Sequence, residues 1–419
     1  MKKKLFTVTF LALTLFLQTG ALATVTEVPD YRYVPPVSVS YSSEWQSDVG
    51  NRPDTGCKSV FVADPDSGKV FYEKNAHTKM YPASTTKILT ALVVIENCSL
   101  SETAKVSRSA VDLVPSGYTT GGLCAGEVFD IKTLLYALLI PSANDAAYVL
   151  AEHVSGSVDA FAELCNKRAK ELGCENLHFV NPNGIHSENH YCTAYDLYLI
   201  AKECLKYDIF REIVKTKRFS LPETDIYPEN DRTFSNTNAL LLSGTYYYEY
   251  CTGIKTGRTN PAGECLVASA THNGVNLISV VLGGQGENSK GLNDRFYDTK
   301  RLFEFVYNSY SHKTFARSGD PFLTLDIENA SSDSPFAKLV IATDISAFVP
   351  DSLSGDEIPF SISLKKDISA PIFKGQVLGE ITFYADGYVI KTDLLSDRFI
   401  ETVNREYRYL LWNTAFLNR

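Results

Sequence analysis

Ser84 and Lys87 stand three residues apart at the head of an apolar run, Pro82-Ala83-Ser84-Thr85-Thr86-Lys87-Ile88-Leu89-Thr90, which continues through Ala91-Leu92-Val93-Val94-Ile95. On a helix that spacing brings two side chains into contact. A serine hydroxyl is a poor nucleophile until a base takes its proton, and a lysine desolvated by apolar neighbours gives up its charge readily. An arginine could not serve in its place. The pair therefore has the makings of an acylating centre. By itself, however, Ser-x-x-Lys is more often a capping serine followed by a solvated lysine.

Two more constellations lie downstream. Pro141-Ser142-Ala143-Asn144-Asp145-Ala146 separates two helical patterns, Ile131 to Ile140 and Ala146 to His153, where Ser142 also suits an N-cap. Thr252-Gly253-Ile254-Lys255-Thr256-Gly257-Arg258-Thr259 precedes two strand-like runs, Cys265 to Ala270 and Val275 to Leu282. At a sheet edge, a cation and a hydroxyl can hold the anionic end of a peptide that adds by main-chain hydrogen bonds. Lys-Thr-Gly alone is also an ordinary strand end with a turn glycine. His186 and His190 fall in a loop after the turn Asn181-Pro182-Asn183-Gly184, where surface or loop-bracing roles are expected. Thr193 and Asp196 form a capping pair before a helix from Leu197 to Leu205.

The elements that must position these residues follow from patterning. Lys58 to Ala63 and Val70 to Glu73 read as a hairpin across the turn Asp64-Pro65-Asp66-Ser67-Gly68-Lys69, directly before the Ser84 helix. Residues 101–187 are mostly helical in signal. From about Ala316 short alternating segments take over: Phe322 to Ile327, Ala337 to Ile341, Phe360 to Leu364, Val377 to Phe383 and Tyr388 to Ile390, the pattern of a small all-β sandwich.

The rest bounds the class. The chain has 419 residues, 44% hydrophobic, enough for two domains, and its net charge of −9 gives no support to nucleic-acid binding, so no nucleic-acid partner is expected. Lys2-Lys3-Lys4, the apolar stretch Leu5 to Leu17 and Ala21-Leu22-Ala23 read as an export signal over 1–23, with a mature start near Thr24. Residues 24–55, rich in Ser, Pro, Val and Tyr, read as an extended spacer. All nine cysteines lie between Cys57 and Cys265 with no zinc-ligand spacing; most are expected to be small buried hydrophobes, any disulfide is left open, and neither metal nor cofactor is expected. From Arg398 to Arg419, Phe399, Val403, Tyr407, Leu410, Leu411 and Leu417 recur at near-helical spacing beside Arg405, Arg408 and Arg419, which suits a helix on a membrane surface or one packed on the β domain.

Ser-x-x-Lys, then Ser-x-Asn 58 residues after the first serine, then Lys-Thr-Gly, is the order of motifs in the penicillin-recognising serine enzymes. PASTTKILTA, PSANDAA, NPNGIHSENHYCTAYDL and GIKTGRTNPAGECLVASA resemble the D-alanyl-D-alanine carboxypeptidases, the low-molecular-weight penicillin-binding proteins, over about Lys58 to Asn308. The resemblance implies an α/β (α+β) catalytic domain over 56–312, with an antiparallel sheet bearing Lys255 on one edge, helices on both sides and a helical subdomain carrying Ser142. A C-terminal all-β sandwich would span 316–397.

The resemblance also implies roles. Ser84 would be the acylated nucleophile and Lys87 its proton acceptor; Ser142 would relay a proton to the leaving amine, and Asn144 would position the substrate amide and Lys87. Lys255 would present positive charge to a terminal carboxylate, with Thr256 and Thr259 offering hydroxyls on either side of Gly257. The backbone N–H groups of Ser84 and Arg258 would form an oxyanion hole, and Arg295 would also bind the carboxylate. Substrates would be peptidoglycan stem peptides ending in D-Ala-D-Ala, with β-lactams acylating the same serine. Ala143 stands where glycine is frequent, Cys251 is unusual two residues before Gly253, and Thr252 replaces an acidic residue. A class A β-lactamase would need a deacylating glutamate, which His178 to Gly184 lacks. A DD-endopeptidase and a non-catalytic wall-binding module are the other readings.

Overall fold

The computed structural model describes residues 38–41, 50, 52–229, 231–333, 335–355 and 358–403. The expected export signal therefore lies outside the described residues. In chain order the strands are β1 (Ser38–Tyr41), β2 (Ser59–Ala63), β3 (Val70–Lys74), β4 (Thr103–Lys105), β5 (Val128–Asp130), β6 (Arg218–Ser220), β7 (Thr233–Ser235), β8 (Cys251–Thr259), β9 (Gly263–His272), β10 (Val275–Gly284), β11 (Tyr310–Ala316), β12 (Pro321–Asp326), β13 (Phe336–Ile341), β14 (Ile345–Pro350), β15 (Phe360–Leu364), β16 (Val377–Ala385) and β17 (Tyr388–Ser396). The helices are α1 (Lys87–Asn97), α2 (Arg108–Asp112), α3 (Ile131–Leu139), α4 (Asn144–Ser155), α5 (Val158–Glu171), α6 (Ala194–Cys204), α7 (Asp208–Lys215) and α8 (Asp294–Ser309).

A five-stranded antiparallel sheet, β3-β2-β10-β9-β8, is buried on both faces. Its strands therefore read as continuous apolar runs, because each face meets its own core. Phe61, Ala63, Val267, Ile278, Val280 and Leu282 join the core of the helical side, whereas Val60, Val62, Leu266, Ala268 and Val281 meet Phe296, Leu302, Phe303 and Val306 of α8. At the centre of the helical side is α1, with every residue from Lys87 to Val94 buried. A helix buried all round needs no polar face, which is why its sequence is an apolar run rather than an amphipathic stripe. The 3-10 turn Ala83–Thr86 feeds it. The capping pair is present as a full capping box on α6, where the Thr193 hydroxyl receives the Asp196 N–H and the Asp196 carboxylate receives the Thr193 N–H. Within the mostly helical stretch, β4 and β5 form a small antiparallel pair.

The C-terminal part is all-β: a six-stranded sheet along β12-β13-β17-β16-β15 with β1 on β17, and the two-stranded pair β11-β14. Two expectations change here. Part of the stretch taken as spacer is a strand: β1 pairs antiparallel with β17, Ser38 opposite Lys391 and Tyr41 opposite Tyr388. A strand on an existing edge needs only backbone groups, so it leaves little mark in side-chain pattern. The expected terminal helix does not begin at Arg398, since Ile400 bridges Ile372 and Thr402 bridges Ala330 in extended conformation. Its remainder lies outside the described residues. Lys69, in the turn between β2 and β3, is fully buried against the Asp386 carboxylate and the Phe348 carbonyl, with Tyr310 and Tyr388 rings around it.

Candidate active site

The Lys87 side chain is wholly buried, and among the described residues no carboxylate hydrogen-bonds to its Nζ. Nζ lies 3.1 Å from Ser84 Oγ, 2.8 Å from Asn144 Oδ1 and 2.8 Å from the Asn183 carbonyl. Burial pushes its pKa well below the ordinary lysine value, and the Lys255 charge pushes it further, against a smaller upward pull from Asp145. Burial and the Lys255 charge therefore both favour the neutral amine over the ammonium.

That form has two N–H donors and one lone pair. Asn144 Oδ1 and the Asn183 carbonyl can only accept, so they take the two N–H groups. The lone pair is left facing Ser84 Oγ, which is the arrangement needed to remove the hydroxyl proton. The Asn144 amide is oriented in turn, its Nδ2 donating to the Thr119 carbonyl at 2.8 Å. Its partner loop is held by Asp145, whose carboxylate accepts from the Gly121 N–H at 2.8 Å and the Leu123 N–H at 3.0 Å.

Strand β8 closes the other side. A β-carbon on Gly257 would fall 2.9 Å from the Pro82 carbonyl and 2.9 Å from the Ser84 nitrogen, so the strand passes as close to the Ser84 turn as glycine allows. Lys255 is buried, its Nζ donating to the Thr256 carbonyl at 3.0 Å, and its pKa is lowered to about 7 by burial first and by Arg295 second. Thr256 Oγ1 donates to Thr237 Oγ1 at 2.7 Å, and Thr259 Oγ1 accepts from the Ala262 N–H at 3.2 Å. Ser142 is not an N-cap: Ala143 holds that position on α4, and Ser142 has φ of 70°, with its hydroxyl buried and without a hydrogen-bond partner among the described residues. A buried hydroxyl left unpaired inside a polar site is free to bond a bound ligand.

Arg295 opens α8 as expected, but its guanidinium points at the back of β8. Nη1 donates to the Gly257 carbonyl at 3.1 Å and pairs with Glu264 at 2.6 Å. It does not line the groove in front of Ser84. That groove, about 460 Å³, is lined by Ser84, Asn144, Tyr118, His186, Arg258 and Thr259, among others.

Several contributors escaped sequence reading. The Asn183 carbonyl is a backbone group, invisible in residue type; only the Asn-Pro-Asn-Gly turn marked the place. Gly184, with φ of 83°, lies so close to Ala83 that any β-carbon would collide with its carbonyl, so glycine is obligatory there. His190, by contrast, braces the same loop as expected. Its Nδ1 accepts from the Val180 N–H at 3.1 Å, so Nε2 carries the proton and donates to Thr86 Oγ1 at 2.8 Å, and Thr86 donates to the Ala83 carbonyl at 2.8 Å. Burial holds His190 neutral, its pKa lowered to about 3. Glu264, which pairs with both Arg258 and Arg295, gave no sequence signal.

Comparison with known proteins adds to this geometry. Residues 47–286 match the family model described as D-alanyl-D-alanine carboxypeptidase, and residues 310–402 match that of the penicillin-binding protein 5 C-terminal domain. The chain is 32% identical to D-alanyl-D-alanine carboxypeptidase DacF of Bacillus subtilis (strain 168) over 362 residues, 83% of this chain and 88% of the relative. It is 30% identical to D-alanyl-D-alanine carboxypeptidase DacA of Escherichia coli (strain K12) over 358 residues, 81% of this chain and 82% of that one. Among solved structures it resembles penicillin-binding protein 5 from Haemophilus influenzae, with a TM-score of 0.61 and 26% identity, covering 84% of this chain and 100% of the other. With a buried lysine on the Ser84 hydroxyl, the matched catalytic and C-terminal segments and this identity across most of its length, the chain belongs to the D-alanyl-D-alanine carboxypeptidase family.

Proposed function

We propose that the protein is a serine-type D-Ala-D-Ala carboxypeptidase that removes the last D-alanine from peptidoglycan stem pentapeptides and is inhibited by β-lactams. The observation that carries this reading is the wholly buried Lys87 amine, 3.1 Å from Ser84 Oγ and held by two obligate acceptors, Asn144 Oδ1 and the Asn183 carbonyl. Ser84 Oγ attacks the carbonyl of the terminal amide as Lys87 takes its proton. The Ser84 and Arg258 backbone N–H groups meet the oxyanion, where charge develops in the transition state. Ser142, buried and without a hydrogen-bond partner among the described residues, relays the proton from Lys87 to the departing D-alanine amine, which frees Lys87 to act once more, and Asn144 holds the substrate amide. Water then hydrolyses the ester, with Lys87 again as base. Gly257 lets β8 lie against the acylated turn, Lys255, Thr256 and Thr259 receive the substrate carboxylate, and Arg295 backs them by fixing the Gly257 carbonyl and adding positive charge.

We also place its action outside the cytoplasm, at the wall, with residues 404–419 lying on the membrane surface. The support is the basic and apolar spacing of that segment. Deletion from residue 404 spares the paired Thr402, and unchanged membrane fractionation after it would reject the anchor.

The activity is tested by D-alanine release from a pentapeptide ending in D-Ala-D-Ala, run beside a cross-linked muropeptide dimer. Release from the pentapeptide that vanishes in Ser84→Ala supports the assignment. Cleavage of the dimer alone moves it to DD-endopeptidase, and wall binding without either reaction supports a non-catalytic module.

A further inference from the structure

Cys98, Glu102 and His153 meet away from the groove. Cys98 is the C-cap of α1, Glu102 follows in the next turn, and His153 lies in the last turn of α4. A thiol sulfur, a carboxylate oxygen and an imidazole nitrogen from these residues all lie within 4.8 Å of one another. His153 Nε2 and Glu102 Oε2 are 3.2 Å apart, and the other Glu102 oxygen is fixed by the Ser99 N–H at 2.6 Å. An ordinary His-Glu contact does not require a cysteine at the same point.

Tetrahedral coordination at roughly 2.0–2.3 Å from each donor sets neighbouring donors about 3.3–3.6 Å apart. The His-Glu pair, at 3.2 Å, is just short of that separation, and the sulfur of Cys98, half-buried at the helix end, lies within 4.8 Å of a ligand atom of each. One thiolate, one imidazole and one carboxylate form a mixed set suited to zinc, whereas calcium and magnesium take all-oxygen sites. The exposed side leaves a fourth position for water. No cysteine or histidine spacing signalled this in the sequence, because His153 comes from a helix 51 residues beyond Glu102.

We propose that Cys98, Glu102 and His153 bind one zinc-class divalent ion, releasing the thiol proton to solvent, and so tie together the C-termini of α1 and α4. The first residues of those helices are Lys87 and Asn144, about 16 and 14 Å along the helix axes from Cys98 and His153. The site lies apart from the acylation chemistry.

The test titrates chelator-stripped, reduced full chain with Co²⁺. One equivalent is expected to produce a thiolate-to-cobalt charge-transfer band and four-coordinate visible bands, both removed by Zn²⁺. Cys98→Ser should abolish the charge-transfer band, and His153→Gln should weaken Zn²⁺ binding at least ~100-fold, beyond the loss typical of outer-shell partners. Retained labelling by a fluorescent penicillin shows that each variant is folded. Cys124 is the other cysteine that is not buried, and Cys124→Ser should leave the spectrum intact. No charge-transfer band in the unaltered protein, a band that survives Cys98→Ser, or full affinity in His153→Gln would each overturn the site.

Discussion

Gly257 and Ser84 are packed backbone against backbone: a β-carbon at 257 would sit 2.9 Å from the Ser84 nitrogen. The position of β8 and that of the Ser84 turn are therefore one structural fact. Gly257→Ala should push them apart, at a cost typical of overpacking, about 1–3 kcal/mol. Penicillin acylation should fall much more steeply than stability. Urea midpoints and acylation rates measured on the same preparation check this; a variant with normal acylation would contradict it.

Lys87→Met keeps the volume roughly but removes the lone pair. General bases contribute about 10²–10⁴-fold, so the second-order rate of Ser84 acylation should drop by that amount while the protein stays folded. Stopped-flow with a chromogenic β-lactam reads it directly.

Acylation needs neutral Lys87, so it should rise with pH through that residue's pKa. Lys255 contributes to holding this pKa down. In Lys255→Met one positive neighbour is gone, the Lys87 pKa rises, and the acid limb of the acylation profile should move to higher pH. A limb that stays in place would show that burial alone tunes the base.

Lys255 also links stability to pH. Its folded pKa is about 7, below the ordinary 10.5, so between those values the unfolded chain binds the extra proton. Its penalty is complete below about pH 7 and fades as pH rises toward 10.5, so this group makes stability increase with pH across that window. The rise in urea midpoint from pH 7 to 9.5 should be smaller in Lys255→Met.

The buried Lys69–Asp386 pair joins the β2–β3 turn to the C-terminal sheet. Asp386→Asn, which suits the left-handed backbone at this position (φ of 47°), leaves a buried lysine without its carboxylate and should cost about 3–5 kcal/mol, while the double change Lys69→Met with Asp386→Asn should recover part of it. Thermal unfolding of the three proteins measures the difference.

Local relations were legible in the sequence. Ser84 and Lys87 are close because three residues on a helical turn must be, and β15 could be read from its alternation. Relations carried by backbone or by distant charge were not. Asn183 acts through a carbonyl, and β1 pairs through main-chain groups. Arg295 was correctly located at a helix start, yet its direction depended on Glu264, 31 positions earlier in the chain, taking up its guanidinium. β14, almost entirely buried, lacks the alternation that marks a half-exposed strand.

The pairing of β1 with β17 has a mechanical meaning. The chain leaves the C-terminal sheet after Tyr41 and rejoins it at β12, so the whole catalytic body is an excursion between two strands of the same sheet. Tension applied between the ends of the molecule passes across the backbone hydrogen bonds from Ser38 to Tyr41, and the groove at Ser84 lies off that load path.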